Sequence, residues 1–158
     1  LSRRLRPAIF SRIMEQGGQP AFCLADSRKG DAEKVLLTQE DIRQTQLAKA
    51  AIRAGIVLLQ KKIGIEDCDI KRILLAGAFG NYIRRRSALR IGLLPDIPPE
   101  SIYFVGNAAC SGAQMMLISG QLREQAKRLA QRIKYVEIAH EEGFSDVYAD
   151  CMSFGGSG

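Results

Sequence analysis

The sequence lacks tryptophan and contains a single histidine, His140, among its 158 residues. Catalysis by a histidine side chain is therefore not expected, because His140 lies alone in a polar stretch near the end of the chain. Aromatic residues make up only 6% of the chain, and the basic residues behind the net charge of +6 are scattered, with one run at residues 84–86. Without a stacking platform or a continuous basic stripe, nucleic-acid binding is not expected.

Cysteine is also sparse. The four cysteines lie far apart, with no Cys-x-x-Cys or ferredoxin-type spacing, at Cys23, Cys68, Cys110 and Cys151. Zinc or iron–sulfur ligation by this chain is therefore not expected. The thiols are instead predicted to be buried or half-buried in a reducing compartment.

Long hydrophobic runs are missing as well. The longest apolar stretches, residues 73–79 and 111–119, have the length of buried strands or helices, so no membrane span is predicted. The basic start of the chain is not followed by an apolar core and a cleavage site, so no signal peptide is predicted and a cytoplasmic location is expected. The first residue is Leu1 rather than methionine, and the chain is expected to be a C-terminal fragment of a larger multidomain protein.

What is present suits one α/β domain, since 46% of the residues are apolar and predicted strands alternate with predicted helices. Residues 1–34 are predicted to form a peripheral helix and hairpin, and residues 35–154 the core. The predicted elements are helices over 5–15, 39–62, 87–91, 111–117, 121–133 and 146–152, and strands over 21–24, 35–37, 71–75, 101–105 and 135–139.

The helix over 39–62 has the clearest start. Thr38 supplies a hydroxyl N-cap and Asp41 a carboxylate three residues later, and Gly64 ends the helix. Lys49 and Arg53 are expected on its wetter side. The apolar residues that recur at helical spacing, and are therefore predicted to be buried, are Ile42, Ala48, Ile52, Gly55, Ile56 and Leu59.

Two buried strands are predicted to end in glycine. Gly77 and Gly80 follow the strand over 71–75, and Gly106 follows the strand over 101–105. Glycine at the carboxyl end of a buried strand allows a tight turn and the close approach of a ligand, and ligands of open α/β sheets collect at that edge. A plain structural turn has the same spacing, so the spacing alone does not decide between the two.

The first glycine turn matches neither the P-loop nor the dinucleotide fingerprint. Its glycines and alanines form a flat, uncharged floor, which suits the ring and ribose of a nucleoside better than phosphates, and Asn81 could add a hydrogen bond. No catalytic residue and no metal ligand is predicted. The candidate cofactor-binding residues are Gly77, Ala78, Phe79, Gly80, Asn81, Gly106 and Asn107.

The arginine run (residues 84–86) precedes a predicted helix, whose N-terminal dipole repels cations. The run is either an anion-binding patch or a solvated surface. The weakness of exposed charges favours the solvated surface.

Four ordered stretches resemble the activators of corrinoid iron–sulfur proteins: LTQEDIRQTQLAKAAIRAG (37–55), LAGAFGNYI (75–83), SALRIGLLP (87–95) and VGNAA (105–109). Residues 135–138 and 152–154 resemble that family's tail, so the resemblance covers residues 35–154. It implies an α/β fold, the actin-like ATPase (ASKHA, ribonuclease-H-like) subdomain, with a mixed sheet and helices packed on it. By this resemblance, residues 76–81 correspond to the adenosine motif of that fold, and the helix over 41–59 corresponds to its second connecting helix. Gly106 and Asn107 line the same edge as the adenosine motif.

The resemblance also implies a function for the whole protein. Such activators use ATP with Mg²⁺ to drive the reduction of a Co(II) corrinoid to Co(I), with electrons from a [2Fe–2S] cluster in an N-terminal ferredoxin domain. The implied partner is a corrinoid iron–sulfur protein or a corrinoid methyltransferase protein, and a homodimer is one option for the assembly.

This chain departs from the family pattern in two respects. The two Asp-x-Gly-type phosphate hairpins are absent from it and are expected upstream, so the chain alone is expected to be inactive. The arginine run replaces a more acidic or proline-containing stretch. The alternatives are another actin-like protein, a dehydratase activator or a sugar kinase, and a non-enzymatic docking or dimerisation domain that uses the helix over 121–133.

Overall fold

The fold is known from a computed structural model that describes residues 9, 11–25, 34–77 and 82–154. The residue contacts divide the chain into two units, residues 1–48 and residues 49–158. The described residues combine strands with helices, and a helix lies between two parallel strands, which confirms the predicted α/β class.

The first unit contains a three-stranded antiparallel sheet in the order β1 (Ile13–Gln16), β2 (Gln19–Ala25) and β3 (Val35–Thr38). Gly17 and Gly18 both have positive φ, 59° and 78°, and they form the two-residue turn between β1 and β2. The predicted hairpin over 21–24 and 35–37 is confirmed as β2 and β3.

The prediction of a helix over 5–15 is wrong at its C-terminal end, because β1 begins there. The two-glycine turn explains the error, because it folds the residues before it back onto β2 as a strand. Residues 1–8 and 10 lie outside the described part of the chain.

Helix α1 (Gln39–Ile63) begins and ends as predicted. The amide and the hydroxyl of Thr38 donate to Asp41 Oδ2 at 2.8 and 2.7 Å, and the amide of Asp41 donates back to Thr38 Oγ1 at 3.1 Å. These hydrogen bonds from the Thr38 side chain and backbone lower the pKa of Asp41. Gly64 ends the helix with a φ of 70°.

The buried face of α1 is not the predicted one. Ala50, Ala54 and Leu58 are buried, whereas Ile52 and Leu59 are 52% and 40% exposed. Since α1 has apolar residues on two faces, the periodicity alone cannot say which face meets a neighbour. The prediction that Lys49 lies on the wetter side of the helix is also wrong, because this residue is only 4% exposed.

The second unit contains the rest of α1 and a two-stranded parallel sheet of β4 (Ile73–Ala76) and β5 (Ile102–Gly106). Four further helices follow their predicted positions, and each begins one to three residues before its predicted start: α2 (Arg85–Arg90), α3 (Ala108–Ile118), α4 (Gly120–Arg132) and α5 (Phe144–Asp150).

The prediction of a strand over 135–139 is wrong. Residues 133–137 have no regular structure, and Ile138–His140 form a 3-10 turn. None of the described strands pairs with this segment, and an extended chain without a partner is not a strand.

The core of the second unit lies on one face of the parallel sheet. Ile102 is fully buried there with Ala88, Leu94 and Ile97, and Ile73 packs against this cluster. The opposite face is bare among the described residues: Leu74 and Tyr103, which are direct neighbours across the two strands, are 62% and 45% exposed. A second cluster joins α1 and α5 through Ala54, Leu58 and Val147.

The cysteines agree only in part with the expectation of buried thiols. Cys23 is buried and Cys151 half-buried, but Cys68 and Cys110 are exposed. Cys68 lies in the short 3-10 turn Asp67–Asp69, and α3, which contains Cys110, buries none of its side chains. Among the described helices, none combines the length and the apolar composition that a bilayer span needs.

Candidate functional site

The two glycine-ended strands lie side by side. β4 and β5 run parallel, with Leu75 opposite Phe104 and Ala76 opposite Gly106. The register therefore shifts by one residue at the last pair. Beyond it, the amide of Gly77 donates a hydrogen bond of 2.7 Å to the carbonyl of Gly106. The structure thus brings the two glycine ends, which are well separated in the sequence, to one edge of the sheet.

Both glycines have backbone conformations that other residues adopt only with strain. The φ of Gly77 is 84° and that of Gly106 is 65°. A Cβ added at either position would meet no atom within 4 Å among the described residues. The described residues therefore leave the backbone at this edge uncovered, and a flat ligand could approach it closely.

Asn107 follows Gly106 directly and begins α3 as its N-cap. Its side-chain oxygen accepts a hydrogen bond of 3.1 Å from the amide of Cys110. The oxygen is thus engaged in the helix start, whereas the amide NH₂ of this exposed side chain is able to donate to a ligand. The predicted site residue therefore has a structural task at the same time.

The other predicted site residues, Ala78, Phe79, Gly80 and Asn81, lie outside the described residues. The described part of the predicted site is Gly77, Gly106 and Asn107, which meet at the carboxyl end of the parallel sheet. This is the edge at which open α/β sheets bind their ligands.

A second polar cluster was missed by the sequence reasoning. Asp67 Oδ2 accepts hydrogen bonds of 2.8 Å from Arg53 Nη2 and from the amide of Asp96, and Asp67 Oδ1 accepts one of 2.9 Å from Gln60. Burial alone would raise the pKa of Asp67. The hydrogen bonds from Asp96, Gln60 and Arg53, with the positive charge of Arg53, outweigh it and lower that pKa.

The Asp67 cluster links α1 to the loops after it. The donors lie 7, 14 and 29 residues from Asp67 in the sequence, so no short local motif predicts the cluster. Because both carboxylate oxygens are engaged, Asp67 is poorly placed to bind a ligand. Its arrangement is that of a structural link in the second unit.

Lys49 is a buried charge that the sequence did not predict. Its ammonium group donates a hydrogen bond to the carbonyl of Ser153 and lies 5.7 Å from the ring centroid of Phe154. Burial lowers the pKa of Lys49, because the charged form loses water. Lys49 therefore holds the end of the described chain against α1.

The described residues offer an uncharged edge and little for phosphates or metals. In the described ranges, no group of three or more His, Cys, Asp or Glu side chains is placed to hold a metal ion. An uncharged edge without Cβ atoms suits a flat, uncharged group better than phosphates. The four separate cysteines do not fit an iron–sulfur cluster, which needs four clustered ligands.

The chain has clear similarity to known proteins. The family profile described as the C-terminal domain of RACo, the ASKHA domain, matches residues 3–157. The corrinoid activation enzyme RamQ of Eubacterium limosum is 38% identical over 125 residues, which are 79% of this chain and 21% of that protein. A Co(II) methylated amine-specific corrinoid protein reductase of Methanosarcina barkeri is 25% identical over 120 residues, which are 75% of this chain and 22% of that protein.

The fold is similar as well. A solved structure, a reductive activator for corrinoid, iron–sulfur protein, superposes with a TM-score of 0.79 at 31% identity, over 92% of this chain and 23% of that one. The chain thus spans less than a quarter of each of these proteins. The predicted actin-like class and the resemblance to corrinoid activators are both confirmed, and the chain belongs to the family of RACo C-terminal ASKHA domains.

Proposed function

We propose that this chain is the ATP-binding C-terminal part of a longer reductive activator, which uses ATP to return the cobalt of a corrinoid protein from Co(II) to Co(I). The observation that carries the proposal is the junction of Gly77 and Gly106, where the described residues leave the backbone of two strand ends uncovered. Relatives named for corrinoid activation and for corrinoid protein reduction support it.

The bare face of the parallel sheet supports the view that the chain is part of a longer protein. Parallel sheets occur almost only with both faces covered. Here Ile73 and Ile102 are covered by the core, whereas Leu74 and Tyr103 on the other face are exposed. We propose that another segment of the longer polypeptide covers this face, in keeping with the small share of its relatives that the chain spans.

At the glycine edge, the residues of this chain would bind and orient the nucleoside. Without a Cβ at Gly77 and Gly106, the ring can lie close to the backbone. The NH₂ group of Asn107 is able to donate to the ring or the ribose while its oxygen continues to cap α3. Residues 78–81 are proposed to complete the floor. Bound ATP would supply the free energy for the electron transfer.

The phosphates, Mg²⁺ and the [2Fe–2S] cluster are proposed to be held by other parts of the longer protein. Phosphoryl transfer depends on groups that position the phosphates and balance their charge. Gly77, Gly106 and Asn107 bring no charge to the edge. The cysteines of this chain do not fit a cluster, so the electron donor is placed outside it.

The proposed partner is a corrinoid protein in the cytoplasm. The names of the relatives include a corrinoid iron–sulfur protein and a methylated amine-specific corrinoid protein. We therefore propose either a corrinoid iron–sulfur protein or a corrinoid methyltransferase protein as the partner. A second candidate, a docking or dimerisation domain without nucleotide binding, is favoured by one observation, the bare face with Leu74 and Tyr103.

Nucleotide binding separates the two candidates. We expect the longer protein to bind a fluorescent ATP analogue, and Gly106→Leu to weaken that binding about tenfold or more, since a side chain would fill the space for the ring. Gly64→Leu is the matched control, because Gly64 also has positive φ and open space but ends α1. Equal affinities in the two variants would remove Gly106 from the site, and a wild-type protein that does not bind ATP would favour the docking domain.

A further inference from the structure

The arginine run lines an open cleft beside α2. Arg84, Arg85 and Arg86 border a space of about 530 Å³ together with Ser87, Pro99 and Glu100. The cleft thus collects three positive side chains and one negative one. Within the described residues, the ion pairs involve other side chains, so these three charges are not neutralised there. The cleft is therefore a local source of positive potential.

Arg85 is held in place rather than free in solvent. Its guanidinium lies over the ring of Phe104 on β5, with 5.2 Å between the guanidinium carbon and the ring centroid. Its Nε atom is buried and has no acceptor among the described residues. A buried donor without an acceptor is costly, so Arg85 occupies this position at a cost to the stability of the fold.

The run also opposes the stability of the helix that it begins. Arg84 is the N-cap of α2 and makes no side-chain cap, and the first turn contains no acidic residue. Cations at a helix N-terminus are repelled by the helix dipole, so Arg85 and Arg86 are placed against local preference. Positions that break a local rule without gain for the fold are where a functional role is expected.

We propose that this cleft docks a carboxylate-rich segment of a partner protein. Arg85 and Arg86 are successive residues of α2 and point about 100° apart, and Arg84 precedes the helix with extended backbone. The three arginines therefore border a broad cleft and do not surround one small anion. Glu100 in the same cleft would repel a compact, highly charged phosphate but can pair with a basic residue of a protein segment. Charge complementarity of this kind steers association and selects partners. The inference is independent of nucleotide binding at the glycine edge.

The probe for the test is a fluorescein-labelled octaglutamate peptide, and its binding to the 158-residue chain is followed by anisotropy at low ionic strength. We expect the triple variant Arg84→Gln, Arg85→Gln, Arg86→Gln to bind about tenfold more weakly than the wild type. The matched control removes three exposed positive charges near the end of α4, through Arg128→Gln, Arg132→Gln and Lys134→Gln. It is expected to weaken binding less than about twofold, because the net charge falls equally but the cleft is intact.

A double variant, Arg84→Gln with Arg86→Gln, keeps the contact of Arg85 with Phe104 and so guards against misfolding of the triple variant. It is expected to bind more weakly than the wild type with an unchanged melting temperature. Equal losses in the cleft and control variants, or no binding by the wild type, would overturn the proposal. Inorganic pyrophosphate that displaces the peptide, and whose own binding is lost in the triple variant, would also overturn it by showing a compact anion site.

Discussion

The amide of Gly77 and the carbonyl of Gly106 are joined by a hydrogen bond of 2.7 Å, which connects the ends of β4 and β5. The bond follows a register shift that leaves Val105 without a partner in the ladder, and both glycines turn there with positive φ. The sheet therefore ends in two turns held together by their backbones, and no side chain among the described residues lies within 4 Å of a Cβ added at either glycine. This arrangement underlies the proposed nucleotide edge.

The Asp67 cluster should make a large contribution to stability for a single side chain. Asp67→Ala leaves Arg53 without its 2.8 Å ion pair, and Gln60 and the amide of Asp96 without their acceptor. We expect the free energy of unfolding, measured with urea, to fall by about 2 kcal/mol. Glu124→Ala, which breaks an exposed pair with Lys127, is the control and should change it by less than about 0.5 kcal/mol.

The same carboxylate should make stability depend on acid pH. The pKa of folded Asp67 lies below its ordinary value of 3.8, so the unfolded chain binds a proton that the folded chain does not. Its contribution is complete above the unfolded pKa and is lost as the pH falls through the lower folded pKa. The stability difference between the wild type and Asp67→Asn should therefore shrink between about pH 5 and pH 2. Parallel pH profiles of the two proteins would contradict this.

The sequence predicted the features that depend on neighbouring residues. Thr38 and Asp41 lie three residues apart, and their reciprocal capping follows from local chemistry alone. The glycine ends of the two strands were predicted in the same way. The hydrogen bond between Gly77 and Gly106 is seen only in the structure. Short-range patterns suffice for helix starts and strand ends.

The predictions that failed concern features that depend on tertiary contacts. Ile52 and Leu59 form a regular apolar stripe, but α1 packs through Ala54 and Leu58 instead, because the C-terminal segment contacts that face. Periodicity finds an apolar face and cannot say what will cover it. The donors to Asp67 lie 7 to 29 residues away in the sequence, so no short window of sequence contains the whole cluster.

Lys49 should control the attachment of the chain end. Its hydrogen bond to the Ser153 carbonyl involves a charged donor, and such bonds contribute about 1.5–3 kcal/mol. We therefore expect Lys49→Met to make carboxypeptidase trimming into Phe154 about tenfold faster. Lys61→Met, which alters an exposed lysine of the same helix, should leave the trimming rate unchanged. Equal rates in wild type and Lys49→Met would show that other contacts hold the end.

Lys49 should also affect stability at alkaline pH. Burial lowers its folded pKa below the ordinary 10.5, so the unfolded chain keeps its proton to higher pH than the folded chain. The stability of the wild type relative to Lys49→Met should rise as the pH increases toward 10.5. A difference that is constant with pH would contradict the assigned environment of Lys49.

The 158-residue chain alone should not hydrolyse ATP above background. Phosphoryl transfer needs groups that position the phosphates and their metal ion, and no suitable cluster of ligands is found in the described residues. The measurement is the release of inorganic phosphate with Mg²⁺ and ATP. Robust, Mg²⁺-dependent hydrolysis by the chain would contradict its assignment to one part of a larger site.

The proposed role of the glycine edge in ATP-dependent reactivation of a corrinoid protein is tested most directly by following the cobalt itself. The longer protein, supplied with electrons anaerobically, is mixed with its Co(II) corrinoid protein, and the formation of Co(I) is followed by absorbance with and without ATP. We expect Co(I) to form only with ATP, with the ATP-dependent rate lost in Gly106→Leu and retained in Gly64→Leu, although both substitutions cost about 1–2 kcal/mol of backbone strain. Co(I) formation that is indifferent to ATP, or equally fast in the two variants, would contradict the account.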